Sequence, residues 1–252
     1  MATADKVLSI LGLFTIDQPE WTVDAVASTL GLSGSTAYQY VRSLVDAGLL
    51  VSRKGGRYTI GPAVIELDRL MRRFDPLIHE AQAPLRDLVA AIDGDAIGLL
   101  CRIYRLRVMC VDQFGKDGSS VATSYERGRP MPLARGAASK VILANLGVRP
   151  LRRVYDADPA GIAAAGLGGD WDGFRREIRT LRKAGVLVTS GELDAGMMGI
   201  SAPVFDGDGD IMGSIGIVAP ATRFADDASG LAATRDAVGW AGAALTAALA
   251  TL

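Results

Sequence analysis

The side chains with the clearest chemical use lie close together near the N-terminus. Ser35, Thr36, Tyr38, Gln39 and Arg42 are followed by Arg53, Lys54 and Arg57. The hydroxyls of Ser35 and Thr36 suit phosphate oxygens or base edges, and the amide of Gln39 presents a donor beside an acceptor, matching the edge of adenine. Tyr38 and Arg42 suit backbone phosphate or sugar. Arg53, Lys54 and Arg57 suit flanking phosphates or a minor groove, through contacts that salt weakens. The combination points to double-stranded DNA as a partner.

Elsewhere, reactive chemistry is scarce. His79 is the only histidine and Cys101 and Cys110 are apolar in context, which argues against a tetrahedral zinc site and against histidine-activated catalysis, and neither a G-x-S-x-G elbow nor a phosphate loop occurs. The expectation is a protein that is not an enzyme, with no metal and no cofactor. Asp206, Asp208 and Asp210 resemble the start of a calcium loop, but Ile211 and Ile217 stand where glycine and glutamate are required. A hairpin turn explains them better.

The elements that must hold the polar cluster can be read from periodicity. Val7, Ile10, Leu11 and Phe14 give one apolar face to a helix over Asp5–Thr15. A second helix starts at Thr22, a capping residue, and stops at Gly31. A third, Ser35–Ala47, buries Ala37, Val41, Leu44 and Val45 and turns the polar cluster outward, the geometry of a recognition helix in a major groove. Strands at Leu49–Arg53 and Arg57–Ile60 follow, joined by Lys54-Gly55-Gly56, whose glycines supply the positive φ angles of a two-residue hairpin turn. This reads as a winged helix-turn-helix over residues 1–61, with protein contact as the alternative use of such a module. Pro62 opens a linker segment, 62–76, with a helix at Ala63–Phe74.

From residue 77 the pattern changes. A helix to about Ile92 precedes strands at Ala96–Tyr104, Arg107–Phe114 and Val121–Tyr125, a helix over Gly136–Asn145, a loop through Ala160–Gly169 and a helix over Trp171–Ala184. Strands at Val186–Thr189, Met198–Phe205 and Ile211–Ala219 and a last helix from Asp226 to Leu249 complete an α+β domain over 77–252. Cys101 and Cys110 fall opposite each other on a hairpin turning at Arg105-Leu106, where a disulfide would be strained; two buried free thiols are expected.

At 252 residues, 49% hydrophobic and 22% charged, the chain can bury two cores. The net charge of −1 gives no global attraction to nucleic acid, which leaves the local basic stripe from Arg42 to Arg57 to supply it. No apolar run reaches membrane-spanning length and Met1–Thr15 lacks the pattern of a leader, so the expected place is the cytoplasm, with no membrane partner.

These residues resemble the IclR family of bacterial transcriptional regulators along almost the whole chain. Leu30-Gly31-Leu32-Ser33-Gly34-Ser35-Thr36-Ala37-Tyr38 is similar to its turn and recognition-helix start, and Gly48-Leu49-Leu50 through Arg57-Tyr58-Thr59-Ile60-Gly61 to its wing. Gly128-Arg129-Pro130-Met131-Pro132-Leu133 with Ala138-Ser139-Lys140, and the run from Gly191-Glu192-Leu193-Asp194 through Pro203-Val204-Phe205-Asp206 with Gly213-Ser214-Ile215-Gly216-Ile217, resemble its effector domain. The chain departs from the family at Gly34 and Gln39, where basic residues are frequent, and at Ala134-Arg135, where many members carry histidine.

The resemblance implies a GAF-like effector fold, palindromic operators near catabolic genes, homodimers through the N-terminal and linker helices, and dimers of dimers through the effector domains. It also implies an effector site built from Met131, Leu133, Gly136, Ala137, Asp194, Met198, Gly199, Ile200, Ile215, Gly216 and Ile217. Amides at the start of the Gly136 helix suit a carboxylate, and the small Gly199 and Gly216 leave room, which points to an effector with an anionic or carbonyl end and an apolar, aromatic-sized body. Arg135 is either the partner of that anion or a solvated charge. Met197 and Met198 are pocket walls or ordinary core. A small-molecule sensor that works through protein partners without an operator is the alternative.

Overall fold

The computed structural model describes residues 3–116 and 121–251. The chain divides into two compact units, residues 1–75 and 76–252. In the first, α1 (Thr3–Leu11), α2 (Val23–Leu30) and α3 (Gly34–Asp46) surround a core of Ile10, Val26, Ala37, Val41, Leu44 and Leu50. Thr22 caps α2 by accepting from the Ala25 N–H, and Gly31 ends it in the left-handed region at φ 63°. Ser33 caps α3, accepting from the Thr36 N–H. The first helix stops at Leu11, short of the expected Thr15, as the chain turns through Gly12.

The wing is β2 (Leu50–Arg53) paired antiparallel with β3 (Arg57–Ile60). A short β1 (Trp21–Thr22), not expected from the sequence, adds a third strand against Tyr58 and Arg57. Since Arg53 pairs with Arg57, the connection is a three-residue turn and not the two-residue turn expected, with Gly55 and Gly56 at φ 79° and 69°. The unit ends in α4 (Ala63–Phe74), a helix in which no residue is buried.

The second unit opens with α5 (Pro76–Ala90), β4 (Ile97–Tyr104) and β5 (Arg107–Gly115). Arg105 and Leu106 form their tight turn, both at positive φ. Cys101 and Cys110 are register partners with free, buried thiols. After β6 (Pro130–Met131) come α6 (Ala137–Asn145), α7 (Val148–Ala157), α8 (Pro159–Ala164) and α9 (Trp171–Ala184). Then β7 (Leu187–Ser190), β8 (Met197–Phe205), β9 (Ile211–Pro220) and α10 (Ala228–Leu249) follow. The strands make one antiparallel sheet in the order β6-β5-β4-β9-β8-β7. Helices α5 and α10 cover one face; α6 covers the other, with α9 stacked on it.

Val121–Tyr125 is not a strand: the Ser124 N–H donates to the Asp194 carboxylate and not to a neighbouring strand. The loop expected at Ala160–Gly169 begins as α8, which Asp158 caps by accepting from the Gly161 N–H and Pro159 opens. At the β8–β9 hairpin, the Asp206 side chain accepts from the backbone of Asp208 and Asp210, so a self-capped turn accounts for the acidic cluster.

Candidate functional site

Two places can do chemistry, one in each unit. In the first, Ala37, Val41 and Leu44 anchor α3 in the core and leave Ser35, Tyr38, Gln39 and Arg42 exposed, with Thr36 half-buried. The Ser33 hydroxyl lies 3.1 Å from that of Ser35 and 2.8 Å from that of Thr36, so a polar cluster crowns the helix start. Arg53 and Lys54 stand exposed at the wing tip. Arg57 donates to the Glu20 carboxylate at 3.0 Å, and Arg42 lies 3.9 Å from Asp46. Both pairs are solvent-exposed and therefore weak, so a phosphate can compete for either guanidinium.

In the second unit a cavity of about 30 Å³ lies between the sheet and the start of α6, room for about two water molecules. Leu99, Gly199, Ser201 and Val218 floor it, Gly136 and Ala137 bring the helix start to it, and Tyr125, Glu192 and Asp194 close it. Gly136 sits at φ 81°, and a Cβ there would come within 2.6 Å of both the Tyr125 hydroxyl and Leu193, so only glycine fits.

Because Gly136 has no side chain to cap α6, other segments do so. The Glu192 carboxylate accepts from the Gly136 N–H at 2.9 Å, and the Tyr125 hydroxyl accepts from the Ser139 N–H at 3.2 Å while lying 2.8 Å from the Ser139 hydroxyl. This is a capping box assembled from distant chain segments. The other Glu192 oxygen accepts from Lys140 Nζ at 2.6 Å, pairing a lysine whose side chain is only 10% exposed. Asp194 ties the loops together, accepting from the Ser124 N–H at 2.9 Å, the Ser124 hydroxyl and the Thr123 hydroxyl. Burial pushes the Tyr125 phenol well above its ordinary range, so it stays protonated.

The expected effector residues divide. Gly136, Ala137, Asp194 and Gly199 line the cavity; Ile217 borders it but belongs with Ile200 and Ile215 to the core beneath α5 and α10. Met131 and Leu133 are buried in the apolar cluster on the same side of the sheet without lining it. Met198, Ile200 and Ile215 are not brought to it: they join the core beneath α5 and α10. On β8 the cavity is faced instead by Met197, Gly199 and Ser201. Gly216 gives close strand approach and not room, since a Cβ would sit 2.3 Å from the Ser201 hydroxyl. Arg135 donates to the Glu192 carbonyl at 2.6 Å, bracing the loop.

The helix-turn-helix agrees with what the chain matches. A model of the IclR helix-turn-helix domain covers residues 3–54, and one of the bacterial transcriptional regulator IclR C-terminal domain covers residues 72–242. The chain belongs to the IclR family of transcriptional regulators. It is 24% identical over 226 residues to the HTH-type transcriptional regulator KipR of Bacillus subtilis (strain 168), covering 89% of this chain and 88% of that protein. Its fold is shared by a Silicibacter sp. TM1040 protein assigned to the IclR regulators (TM-score 0.82, 20% identity, 99% and 96% coverage). It is shared also by an IclR homologue from Microbacterium hydrocarbonoxydans complexed with 4-hydroxybenzoate (TM-score 0.76, 18% identity, complete coverage of both chains).

As an IclR regulator, the chain is a two-part transcription factor and not an enzyme. Among the described residues no cluster of metal-ligating side chains occurs, and no helix is long and apolar enough to cross a membrane. Tyr125, Ser139, Lys140 and Glu192 were not singled out from the sequence as site residues. The signal was present in Lys140, a lysine inside a helix whose neighbours are all buried, and in the acidic spacing of Glu192 and Asp194.

Proposed function

We propose that this IclR regulator binds a palindromic operator as a homodimer and changes its grip on that operator when a small carboxylate with an apolar, aromatic-sized body enters the effector cavity. Gln39, Ser35 and Thr36 read base edges or nearby phosphates, Tyr38 and Arg42 hold the backbone, and Arg53, Lys54 and Arg57 reach flanking phosphates. The genes it controls are catabolic, and the protein works in the cytoplasm. The observation that carries the effector reading is the N-terminus of α6 turned onto a cavity in which Leu99, Leu193, Met197 and Val218 give an apolar side, while Thr123, Glu192 and Asp194 give a polar one. The 4-hydroxybenzoate held by the Microbacterium hydrocarbonoxydans homologue is a compound of the same chemical class.

Dimerisation is supported by α4, where Val64, Leu67, Met71 and Phe74 are exposed at coiled-coil spacing beside Ile65, which is 73% exposed. In this reading residues 1–61 bind DNA, 62–76 link and pair protomers, and 77–252 bind effector and join dimers into tetramers. A panel of aromatic and aliphatic acids, each beside its neutral amide, tests the effector reading by thermal shift and by operator affinity. Acids that shift both, with amides that shift neither, are expected. Stabilisation only by polar, uncharged metabolites contradicts it. The alternative, a sensor acting through protein partners, requires that no operator be bound at low salt.

A further inference from the structure

We infer that Glu192 is a tethered stand-in for the effector's carboxylate: it occupies the anion site on α6, and an entering ligand acid must take its place. This rests on the effector reading above and specifies how the same site is regulated. Three observations carry it. The Gly136 N–H at the start of α6 already donates to a carboxylate, Glu192 Oε2 at 2.9 Å. Lys140, whose side chain is only 10% exposed, holds the other oxygen of that carboxylate at 2.6 Å. Glu192 also forms part of the wall of the cavity beside them, so its side chain must move before a ligand carboxylate in that cavity can reach the same donors.

The charges dictate the class of ligand. A buried ammonium left without a counterion is strongly unfavourable. Glu192 can leave Lys140 only when another anion arrives, so a neutral molecule has no means of opening the site. Asp194, the other carboxylate in the cavity wall, is engaged by Ser124 and Thr123 and cannot substitute without opening that loop. A ligand carboxylate can present two oxygens to the same two donors, the Gly136 N–H and Lys140 Nζ. Its exchange with Glu192 frees the segment following Gly191, which Arg135 braces through the Glu192 carbonyl. Until that exchange, Glu192 lowers the apparent affinity by the fraction of molecules in which the site is vacant.

The test uses full-length Glu192→Ala, Glu192→Gln and Glu192→Ala/Lys140→Met proteins, with acetate and benzoate as probes against acetamide, benzamide and chloride at matched ionic strength. Glu192→Ala is expected to melt below wild type and to regain stability saturably with acetate or benzoate, at an apparent affinity about tenfold or more above that of wild type. The amides and chloride should give no such rescue, and the double variant should lose it. A folded Glu192→Ala protein that acetate and benzoate stabilise no more than the amides overturns the inference, as does rescue that survives Lys140→Met. Should Glu192→Ala fail to fold, Glu192→Gln keeps an oxygen for the Gly136 N–H while removing the charge; benzoate affinity equal to wild type there overturns the inference. The effector reading fails separately, when no acid alters operator affinity of the wild-type protein, whatever the rescue result.

Discussion

Tyr125→Phe removes one oxygen from a side chain that is 3% exposed and leaves its ring packing in place. The lost hydroxyl accepts from the Ser139 N–H at 3.2 Å, lies 2.8 Å from the Ser139 hydroxyl and donates over 3.3 Å to the Arg135 carbonyl. The last contact is long and contributes little. The first two matter, because Ser139 is fully buried and water cannot replace the missing partner. A buried donor left unsatisfied costs ~1–3 kcal/mol, and loss of a helix N-cap costs ~0.5–2 kcal/mol, so the variant should lose about 2 kcal/mol. Urea unfolding should show a lower midpoint at unchanged slope. Amide exchange at Ser139 should accelerate by roughly tenfold or more. The double variant Tyr125→Phe/Ser139→Ala should cost less than the sum of the single changes, since it removes the orphaned hydroxyl as well. A loss below about 0.5 kcal/mol with unchanged Ser139 protection would refute the tertiary capping of α6.

Three further outcomes are expected. The Arg223 guanidinium, with help from the Gly230 N–H and the Ser229 hydroxyl, holds the Asp227 carboxyl down to about 2. Because this folded-state value is depressed, the stabilisation is present above ~pH 4 and is lost as pH falls toward 2; melting curves across that range should show Asp227→Asn converging on wild type at the acid end. The Cys101 thiol is pushed well above the usual range by its hydrogen bond with the Cys110 thiol and by burial, so native protein should resist thiol reagents and expose both cysteines only on unfolding. Fast native labelling would contradict this. Gly136→Ala should destabilise by roughly 2–5 kcal/mol, through positive-φ strain and the clash with Tyr125 and Leu193, read as a fall in urea midpoint.

The DNA-binding unit was readable because its signals are local. Thr22, Gly31 and the paired glycines of the wing each act within a few residues, and apolar periodicity fixes which face of α3 is hidden. The cavity at the start of α6 was only half readable. Gly136 and Ala137 follow from the resemblance, but the carboxylate that caps them comes from Glu192 and the hydroxyl from Tyr125, pairings across the fold that no local pattern encodes. The strands misled for another reason. Helices cover both faces of β8 and β9, so alternation carries no polar contrast, and Ile200 and Ile215 look as eligible as Gly199 and Ser201. Helix α7 was missed although Leu151, Val154 and Tyr155 share a face, because Pro150 in its first turn reads as a loop residue.

Binding of the purified protein to DNA from upstream of its own and neighbouring genes, across a salt series, tests the central claim most directly. Specific binding to a palindrome, weakening steeply with salt, is the expected result. Gln39→Ala should relax base preference at a cost of ~1–3 kcal/mol, and Lys54→Ala should weaken all sequences alike and lower the salt slope by about one. Absence of specific binding at every salt concentration would contradict it.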